Sequence, residues 1–455
     1  MEQREATDVA SVMVCGIANG FITRFEAACY FLRNATAADI QSIKHEVVLA
    51  LQIAGFKVRA TVTDCALEMQ KAQGRECDIG TDDYKYAGYC PYRPQELEFW
   101  MFDPSHLIKT WRNNFSYSQS PESSKKGTRK LYLQDPETKE LSEYPIYWDR
   151  HFMNPFIRYQ ESTHRRIHPQ LTANVFYAVL NNYKKMNVKM ATAFFSGKMQ
   201  LVEDEIIGNL DALYPEDEAL KDEIRVAVRS ARQFKDMANR VFDVCNGVKS
   251  DGSGNRERLN ASSLDQFTLL TDMVKYLEKA SSDISRSNGH AQRLNGFTDT
   301  MNKCTPITLY GFVGFVNYMA SLNVANDVYL GVVTSDMCER TFANYKMNTG
   351  RKDAQGYAAT ATRGNATRVL DFSKYVKWCI SENRTTQRDG AYYKVCDGVR
   401  SQRAERHKTN VIDERQVGQN NSNKKRKSRA NIFHPPSLEQ KVAVNKENIG
   451  SGEMF

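Results

Sequence analysis

Short strand-like runs and longer helical repeats alternate in the first part of this chain. Apolar or β-branched runs predict strands at 12–17, 22–32, 57–63 and 97–102. Helices are predicted at 38–54 and 66–71, where apolar residues recur at helical spacing. An Asn19-Gly20 turn joins the first two strands, and Gly55 closes the first helix. The alternation predicts an α/β domain.

The apolar run that ends at Phe102 is followed by polar residues that suit a functional site. Asp103 and Pro104 stop the predicted strand, and Ser105 is predicted to cap a short amphipathic helix that carries His106. A carboxylate and an imidazole then lie one helical turn apart. Judged on residue types alone, the same pattern also fits a plain turn beside a hydrogen-bonded histidine.

The middle of the chain predicts an all-α unit. Apolar residues recur at helical spacing from 171 to 248, and further helices are predicted at 262–280 and 309–322. The segment 116–143, which precedes this unit, is rich in Ser, Lys and Glu. Such a composition predicts a surface insertion or a flexible loop.

A short segment after the helical unit also opens like a helix. Ser335 is its predicted N-cap, and Asp336 and Glu339 share one helical face. On spacing alone, these two acids complement the positive end of the helix dipole. Spacing by itself therefore assigns them no catalytic role.

Composition narrows the choice of protein class. A chain of 455 residues with 41% apolar content can bury two or three domain-sized cores. Its net charge of +8 is compatible with nucleic-acid partners but does not require them. The ten cysteines form no CxxC pair, which predicts free thiols and no zinc finger. No apolar run reaches the length of about 18 residues that a membrane span needs, so no membrane partner is expected.

The last part of the chain is basic and poor in apolar residues. Residues 401–455 predict a disordered tail, because they cannot bury enough surface to fold. The basic cluster of this tail consists of Lys424, Lys425, Arg426, Lys427 and Arg429. Such a cluster is typical of a nuclear-import signal or a nucleic-acid patch, and also of a merely solvated basic run. We expect the protein in the nucleus.

Three segments together resemble P-element-type DNA transposases and their THAP-finger relatives. The sequence 102–109, with Arg-Asn-Asn at 112–114, resembles the family's Asp-Pro-Pro-His-Leu-[Leu/Ile]-Lys and Arg-Asn-Asn segment. The strand end 63–66 resembles [Cys/Thr]-Asp-x-[Gly/Ala], and 335–342 resembles the helix Gln-Asp-x-x-Glu-x-x-Phe. The segments follow one another in the family's order across 12–377.

The resemblance implies an incomplete RNase H-like core of a DDE transposase, interrupted by a large all-α insertion and followed by a disordered basic tail. The implied divisions are 1–115 and 331–400 for the core, 116–166 for a surface insertion or loop, 167–330 for the helical insertion and 401–455 for the tail. Such an enzyme cleaves and joins DNA strands with two Mg²⁺ ions that a carboxylate triad holds.

The resemblance also implies roles for individual residues. Asp64 and Glu339 match the second and third catalytic carboxylates, and they are the implied metal ligands. Asp103, His106 and Asp336 match supporting positions beside them. DNA is therefore the expected partner.

A nucleotide site is implied within the helical insertion. The segments 167–191 and 241–246 resemble parts of the family's insertion, which binds GTP, so Lys185, Phe242 and Asp243 are the implied purine contacts. Judged on residue types alone, Lys185 is a surface lysine, Phe242 a core aromatic residue and Asp243 an aspartate at a helix end.

The sequence departs from the family pattern at its amino end. The family's first catalytic Asp precedes the strand pair, where this sequence has eleven residues, and Asp8 has the wrong register to replace it. The family's DNA-binding finger is not found either. We therefore expect impaired catalysis, in a truncated or mispredicted copy of a mobile element or in a remnant retained by its host.

Two alternatives belong to other functional classes. The first is a domesticated nuclear regulator that binds DNA or protein and assembles with itself or with an intact transposase. The second, weaker alternative is a free-standing nucleotide-binding helical module. Metal-dependent nicking of DNA would separate a transposase from both.

Overall fold

The structure, a computed structural model, describes residues 8–16, 24–77, 84–119, 130–133, 135, 137, 145–163, 171–180, 184–247, 252–287, 296–323, 327–335 and 338. These residues belong to the first of the chain's two compact units, Met1–Tyr392. The second unit, Tyr393–Phe455, includes the predicted basic cluster and lies outside the described residues.

Within the described residues, five strands form two small sheets. The strands are β1 (Asp8–Cys15), β2 (Arg24–Leu32), β3 (Ala60–Thr63), β4 (Ala87–Cys90) and β5 (Arg93–Phe102). β1 and β2 form an antiparallel pair with a register shift between Val12 and Met13. In the second sheet the order is β3-β5-β4, with β3 parallel and β4 antiparallel to the central β5.

Helices make up most of the described residues. They are α1 (Ala37–Ile53), α2 (Leu67–Cys77), α3 (Pro104–Ser116), α4 (Asn154–Thr163), α5 (Asn174–Tyr177), α6 (Val188–Phe195), α7 (Gly197–Gly208), α8 (Leu210–Leu213), α9 (Glu218–Asn246), α10 (Leu264–Ser287) and α11 (Asp299–Ser321). A π-helix covers Trp148–Met153, and short 3₁₀ turns cover Ala178–Leu180, Lys184–Met186 and Leu330–Val332. None of the helices in the described ranges combines the length and apolar content needed to cross a bilayer.

Strand β5 lies at the centre of the core because both of its faces are covered. Phe99 and Met101 face α11, where the ring of Phe99 lies 6.0 Å from that of Phe315. Trp100 faces the other way and packs in a separate cluster that includes Ala72 of α2. An uninterrupted apolar run is what a strand buried on both faces requires.

Helix α11 crosses close to β5. A Cβ atom at Gly311 would lie 2.7 Å from Cγ of Met101, so glycine permits the short spacing. Farther along the strand, Phe102 N–H donates to Oγ1 of Thr308 at 3.0 Å. A side chain of α11 thus takes the place of a neighbouring strand at this backbone group.

Aromatic side chains join the sheet to the helical unit. Phe115, near the end of α3, has its ring centre 5.5 Å from those of Phe194 and Phe234. Trp148 of the π-helix lies 4.8 Å from Phe194 by the same measure. The core is therefore continuous from β5 through α3 to α9.

The mixed α/β class predicted from the sequence is confirmed, and most predicted elements recur with shifted ends. The predicted Asn19-Gly20 turn lies outside the described residues. The start of α3 differs from the prediction, because Asp103 rather than Ser105 is the N-cap and Pro104 is the first helical residue. A proline fits that first position, where its missing N–H costs no helical hydrogen bond.

The region 116–166 also differs from the predicted surface insertion or loop. Leu131, Ile146 and Phe156 are fully buried, and the π-helix and α4 contribute to the main core. The polar composition of 116–143 does not continue to Tyr147–Phe156, where aromatic residues recur. This second half of the region is a core element of the helical unit.

Candidate active site

Two aspartates follow neighbouring parallel strands at the same sheet edge. Thr63, the last residue of β3, is in register with Phe102, the last residue of β5. The next residues are Asp64 and Asp103, and Asp103 N–H donates to the carbonyl oxygen of Thr63 at 2.8 Å. Because neighbouring strands lie about 4.8 Å apart, the two acids begin side by side.

Asp64 has an open carboxylate oxygen at this edge. Its side chain is half-buried, and Oδ1 accepts a hydrogen bond from Ala66 N–H at 3.0 Å. Within the described part of the chain, no other hydrogen bond or ion pair to this carboxylate is present. Oδ2 of Asp64 can therefore accept a proton donor or bind a cation.

Asp103 has both carboxylate oxygens engaged. Its side chain is fully buried. Oδ2 accepts from His106 N–H at 3.2 Å and lies 2.9 Å from Nδ1 of the His106 ring. Oδ1 accepts from Ser335 N–H at 3.0 Å. Asp103 is thus a hydrogen-bond acceptor for its neighbours rather than an open ligand.

The predicted pairing of Asp103 with His106 is present in the structure. The His106 ring contacts the carboxylate through Nδ1, and its side chain is 19% exposed. This contact leaves Nε2 as the ring nitrogen that faces other partners. A histidine held in this way by a carboxylate has a fixed ring orientation.

The segment that ends at Ser335 comes back from the helical unit to this sheet edge. Gly331 N–H donates to the carbonyl oxygen of Gly247 at 3.0 Å, and Cys338 N–H donates to the carbonyl oxygen of Ser335 at 2.8 Å. Oγ of Ser335 is buried and, among the residues that the structure describes, has no hydrogen-bond partner, so no side-chain cap is seen there. The predicted site residues Asp336 and Glu339 lie outside the described residues.

Cys65 is a residue of this edge that the sequence did not single out as functional. Its pKa is raised above the ordinary thiol value, first by a hydrogen bond with Cys304, then by burial and by the negative charges of Asp64 and Asp103. The thiol therefore stays protonated at neutral pH. It is a neutral neighbour of the carboxylates and supplies no thiolate.

The described residues at this sheet edge supply part of a binding site for a hard cation. Carboxylate oxygens suit Mg²⁺, and Asp64 offers one, whereas Asp103 does not. Among the residues that the structure describes, no group of three His, Cys, Asp or Glu side chains is arranged to hold a metal. A complete site needs further oxygen ligands besides Asp64.

The three residues implied for GTP lie in two places. Phe242 is 6% exposed and belongs to the core, while Asp243, the next residue of α9, pairs with Arg256 at 2.5 Å. The carbonyl oxygen of Lys185 accepts a hydrogen bond from Arg112. The structure offers no support for a purine at these positions, and the nucleotide site stays a prediction.

Arg112 and Arg256 were not assigned a role from the sequence. Arg112, in the Arg-Asn-Asn motif, is fully buried, and burial lowers its pKa to about 10. Its guanidinium also donates to Oδ1 of Asn113. Both arginines donate hydrogen bonds to acceptors within the fold. For Arg112, the Arg-Asn-Asn motif is the sequence feature that could have pointed to it.

Comparisons with known proteins identify the fold. No family model matches the chain, and no curated protein matches its sequence. The structure is similar to the Drosophila P element transposase in a strand transfer complex, with a TM-score of 0.54 and 16% sequence identity. The match covers 84% of this chain and 72% of that chain. The expected resemblance is thus confirmed for the fold, which is transposase-like.

Proposed function

We propose that this chain is a DNA-acting protein of the P-element transposase type, with a divalent-metal site at the carboxyl end of β3 and β5. The observation that carries the proposal is the hydrogen bond from Ser335 N–H to Asp103, next to Asp64. It anchors the segment that leads to Glu339 at the edge where Asp64 lies. In this proposal β1–β5 and 331–400 form an RNase H-like core, and α4–α11 belong to its insertion.

Asp64 and Glu339 are the proposed metal ligands. Asp64 has the open oxygen, and Glu339 follows Ser335 by four residues. Four residues span at most about 14 Å, which is the limit that chain geometry sets on the distance between the backbones of Ser335 and Glu339. Held by these carboxylates, Mg²⁺ would supply positive charge for activating a hydroxyl nucleophile and stabilising the leaving oxygen of a phosphodiester.

We propose that catalysis at this site is weak. Two-metal phosphoryl transfer uses a triad of acids. Of the two strand-end acids described, Asp103 has both oxygens engaged, which leaves Asp64 as the open one. Loss of one carboxylate removes transition-state stabilisation, and each loss of about 1.4 kcal/mol slows the reaction tenfold.

A nicking assay tests the assignment of the site. The full chain is incubated with a labelled DNA duplex and Mn²⁺ or Mg²⁺, beside Asp64→Asn and the matched control Asp272→Asn, which changes an exposed acid of α10. We expect slow, metal-dependent nicking that Asp64→Asn abolishes and Asp272→Asn retains. Equal nicking by Asp64→Asn and the unmodified chain would overturn the assignment.

A nuclear regulator that binds DNA or protein is the second candidate. It is favoured by the engagement of both Asp103 oxygens, because a binding protein needs no complete acid triad. This candidate predicts DNA binding or self-association without any nicking. Deleting 424–429 should release the protein from the nucleus. It should also flatten the salt dependence of DNA binding, by about 0.9 in logarithmic slope for each phosphate that the basic cluster neutralises.

The nucleotide-binding module is tested separately. If GTP binds, a hundredfold excess over its dissociation constant should raise the free energy of unfolding by about 2.7 kcal/mol. Asp243→Asn should reduce that increase if Asp243 contacts the purine. No stabilisation of the unmodified chain by GTP would remove the nucleotide assignment.

A further inference from the structure

The second half of α1 exposes apolar side chains where a surface helix normally carries polar ones. Its first half follows the usual pattern, with Glu46 exposed and Ile43 buried. In the second half, Leu49 is 38% exposed and Ile53 is 79% exposed. No charged residue occurs from 47 to 56. A helix that is apolar on both sides is typically covered by another protein surface.

Two neighbouring segments extend this exposed surface. The helix ends in a Schellman motif, in which Phe56 N–H donates to the carbonyl oxygen of Leu51 at 2.9 Å and Gly55 has a φ of +90°. The motif keeps Phe56 beside the last turn of the helix, and Phe56 is 47% exposed. On the flank of α1, the ring of Tyr92 in the β4–β5 turn lies 6.3 Å from that of His45, edge to face.

These side chains form one continuous exposed surface. His45 precedes Leu49 by one helical turn, so Tyr92 adjoins the exposed face of α1. We define the α1 patch as Leu49, Ile53, Phe56 and Tyr92. At about 200 Å² for a large side chain, and with half of it exposed, the patch presents roughly 400 Å². A standard interface buries about 800 Å² on each partner, which the patch and a polar rim together supply.

The chemistry of the patch fits protein rather than nucleic acid. Contacts to phosphates come mainly from basic and hydrogen-bonding side chains, and the segment from 47 to 56 has no Lys or Arg. Aromatic residues are instead enriched at protein interfaces, whose centres are depleted of charge. Tyr92 and Phe56 beside aliphatic residues match that composition.

A second copy of this chain suits the patch because of its charges. In a twofold dimer, residues near the axis meet their own copies, so a charge there would face an identical charge. The centre of the α1 patch is free of charge. Its two ends carry opposite charges, since Glu46 lies before the patch and Lys57 follows it, both exposed. An antiparallel crossing centred near residue 51 brings Glu46 of one copy beside Lys57 of the other, and Leu49 beside Ile53.

We propose that the α1 patch is the interface of a twofold dimer of this chain, in which two copies of α1 pack antiparallel. The pairs of Glu46 with Lys57, one at each end, set the register of the two helices. None of these residues belongs to the strand end at Asp64 and Asp103, so the dimer does not depend on the proposed metal site.

Sedimentation equilibrium of the full chain measures the interface. We expect a dimer with a dissociation constant in the micromolar range or tighter, as interfaces of standard size have. Ile53→Asp places two carboxylates near the axis and should raise that constant at least about 100-fold. Leu201→Asp is the matched control, because Leu201 is 65% exposed on α7 and lies outside the patch. It should leave the constant unchanged, and circular dichroism checks that both variants fold.

Exchanging the end charges tests the antiparallel arrangement. Glu46→Lys sets two like charges together at both ends of the dimer and should weaken association about tenfold at low salt. Lys57→Glu should act alike, and the double variant should regain most of the affinity because opposite charges meet again. Glu46 also bonds to Tyr30, so Tyr30→Phe, which keeps the charge, is the control and should have no effect. No recovery in the double variant overturns the arrangement.

Photo-crosslinking identifies what covers the patch. Benzoylphenylalanine replaces Phe56 in a mixture of isotopically light and heavy full chain, and we expect light-to-heavy cross-links to 46–49. Cross-links within one chain, or to another protein or to nucleic acid, would mean a different occupant and overturn the dimer. The dimer is equally overturned by a chain that stays monomeric well above micromolar concentration, or by Ile53→Asp and Leu201→Asp having the same effect.

Discussion

Two buried carboxylates of this molecule are stabilised in opposite ways. Asp103 at the strand end accepts hydrogen bonds from His106 and Ser335, which belong to segments far apart in the chain. Glu203 on α7 pairs instead with Lys235 on the neighbouring α9. Asp103 and its partners lie at a sheet edge beside Asp64, which has an open carboxylate oxygen. Lys235, the partner of Glu203, lies in the core. The comparison shows that a buried carboxylate can hold a sheet edge together in one place and stabilise the packing of two helices in another.

Lys235 illustrates the enclosed case. Its ammonium group lies 4.2 Å from the ring centre of Phe194 and 5.5 Å from that of Phe152. Burial lowers the pKa of Lys235, and the nearby charge of Glu203 opposes that shift. The carboxylate and the aromatic faces together compensate for lost hydration. The Glu203–Lys235 pair therefore contributes to the stability of the helical unit.

Breaking the enclosed pair should have the largest effect on stability. Lys235→Met leaves the charge of Glu203 buried and unpaired, so the free energy of unfolding should fall by about 3–5 kcal/mol in urea denaturation. The double variant Lys235→Met/Glu203→Met should recover most of that loss, because no buried charge remains. A loss as large in the double variant would contradict the assignment of the effect to charge.

Acid should weaken the helical unit through His151. Burial, with a smaller contribution from the charge of Arg150, lowers the pKa of His151 from 6.5 to about 3. Nδ1 accepts from Tyr147 N–H at 3.1 Å, and Glu223, 3.6 Å from Nε2, is itself paired with Arg150 at 3.0 Å. The unfolded chain therefore binds a proton below pH 6.5 that the folded chain binds only near pH 3, and stability falls as the pH drops through that window.

The size of this effect can be measured against a variant. This group alone should remove about 2.5 kcal/mol of unfolding free energy between about pH 6 and pH 4. In His151→Asn, which keeps an acceptor near Tyr147, that share of the pH dependence should disappear. Parallel pH curves for the two proteins would show that His151 is not buried in its neutral form.

Removing the hydrogen bond at the end of β5 should lower the free energy of unfolding by less than breaking the Glu203–Lys235 pair does. Thr308→Val keeps the shape of the side chain but leaves Phe102 N–H without its acceptor, which should lower the free energy of unfolding by about 1.5 kcal/mol. Thr271→Val, at a half-buried position of α10 where the hydroxyl bonds only within its own helix, should change it by less than about 0.5 kcal/mol. Equal values for the two variants would show that α11 does not satisfy the backbone of β5.

Local patterns in the sequence predicted much of the strand end. The apolar run before Asp103 predicted β5, and the spacing of Asp103 and His106 predicted their contact within one helical turn. Asp64 at the end of a β-branched run was likewise expected at a strand end. These predictions succeed because strand burial and helix periodicity depend on neighbouring residues.

Contacts between distant residues were beyond such patterns. The bond of Ser335 to Asp103 and the pair of Lys235 with Glu203 arise from packing of separate elements, which one sequence does not encode locally. Strand β4 was missed because it has four residues, one of them the glycine Gly88. The N-cap of α3 was predicted two residues too late, at Ser105 instead of Asp103, because Asp and Ser are both good N-cap residues.

The bond between Ser335 and Asp103 also constrains the order in which the molecule forms, because it spans 232 positions of sequence. During synthesis the strand end is complete long before the ribosome reaches Ser335. Contacts between residues so far apart in sequence tend to form late, because closing the long loop between them costs conformational entropy. Because Ser335 follows the helical unit in the chain, the sheet edge cannot be complete until that whole unit has been synthesised.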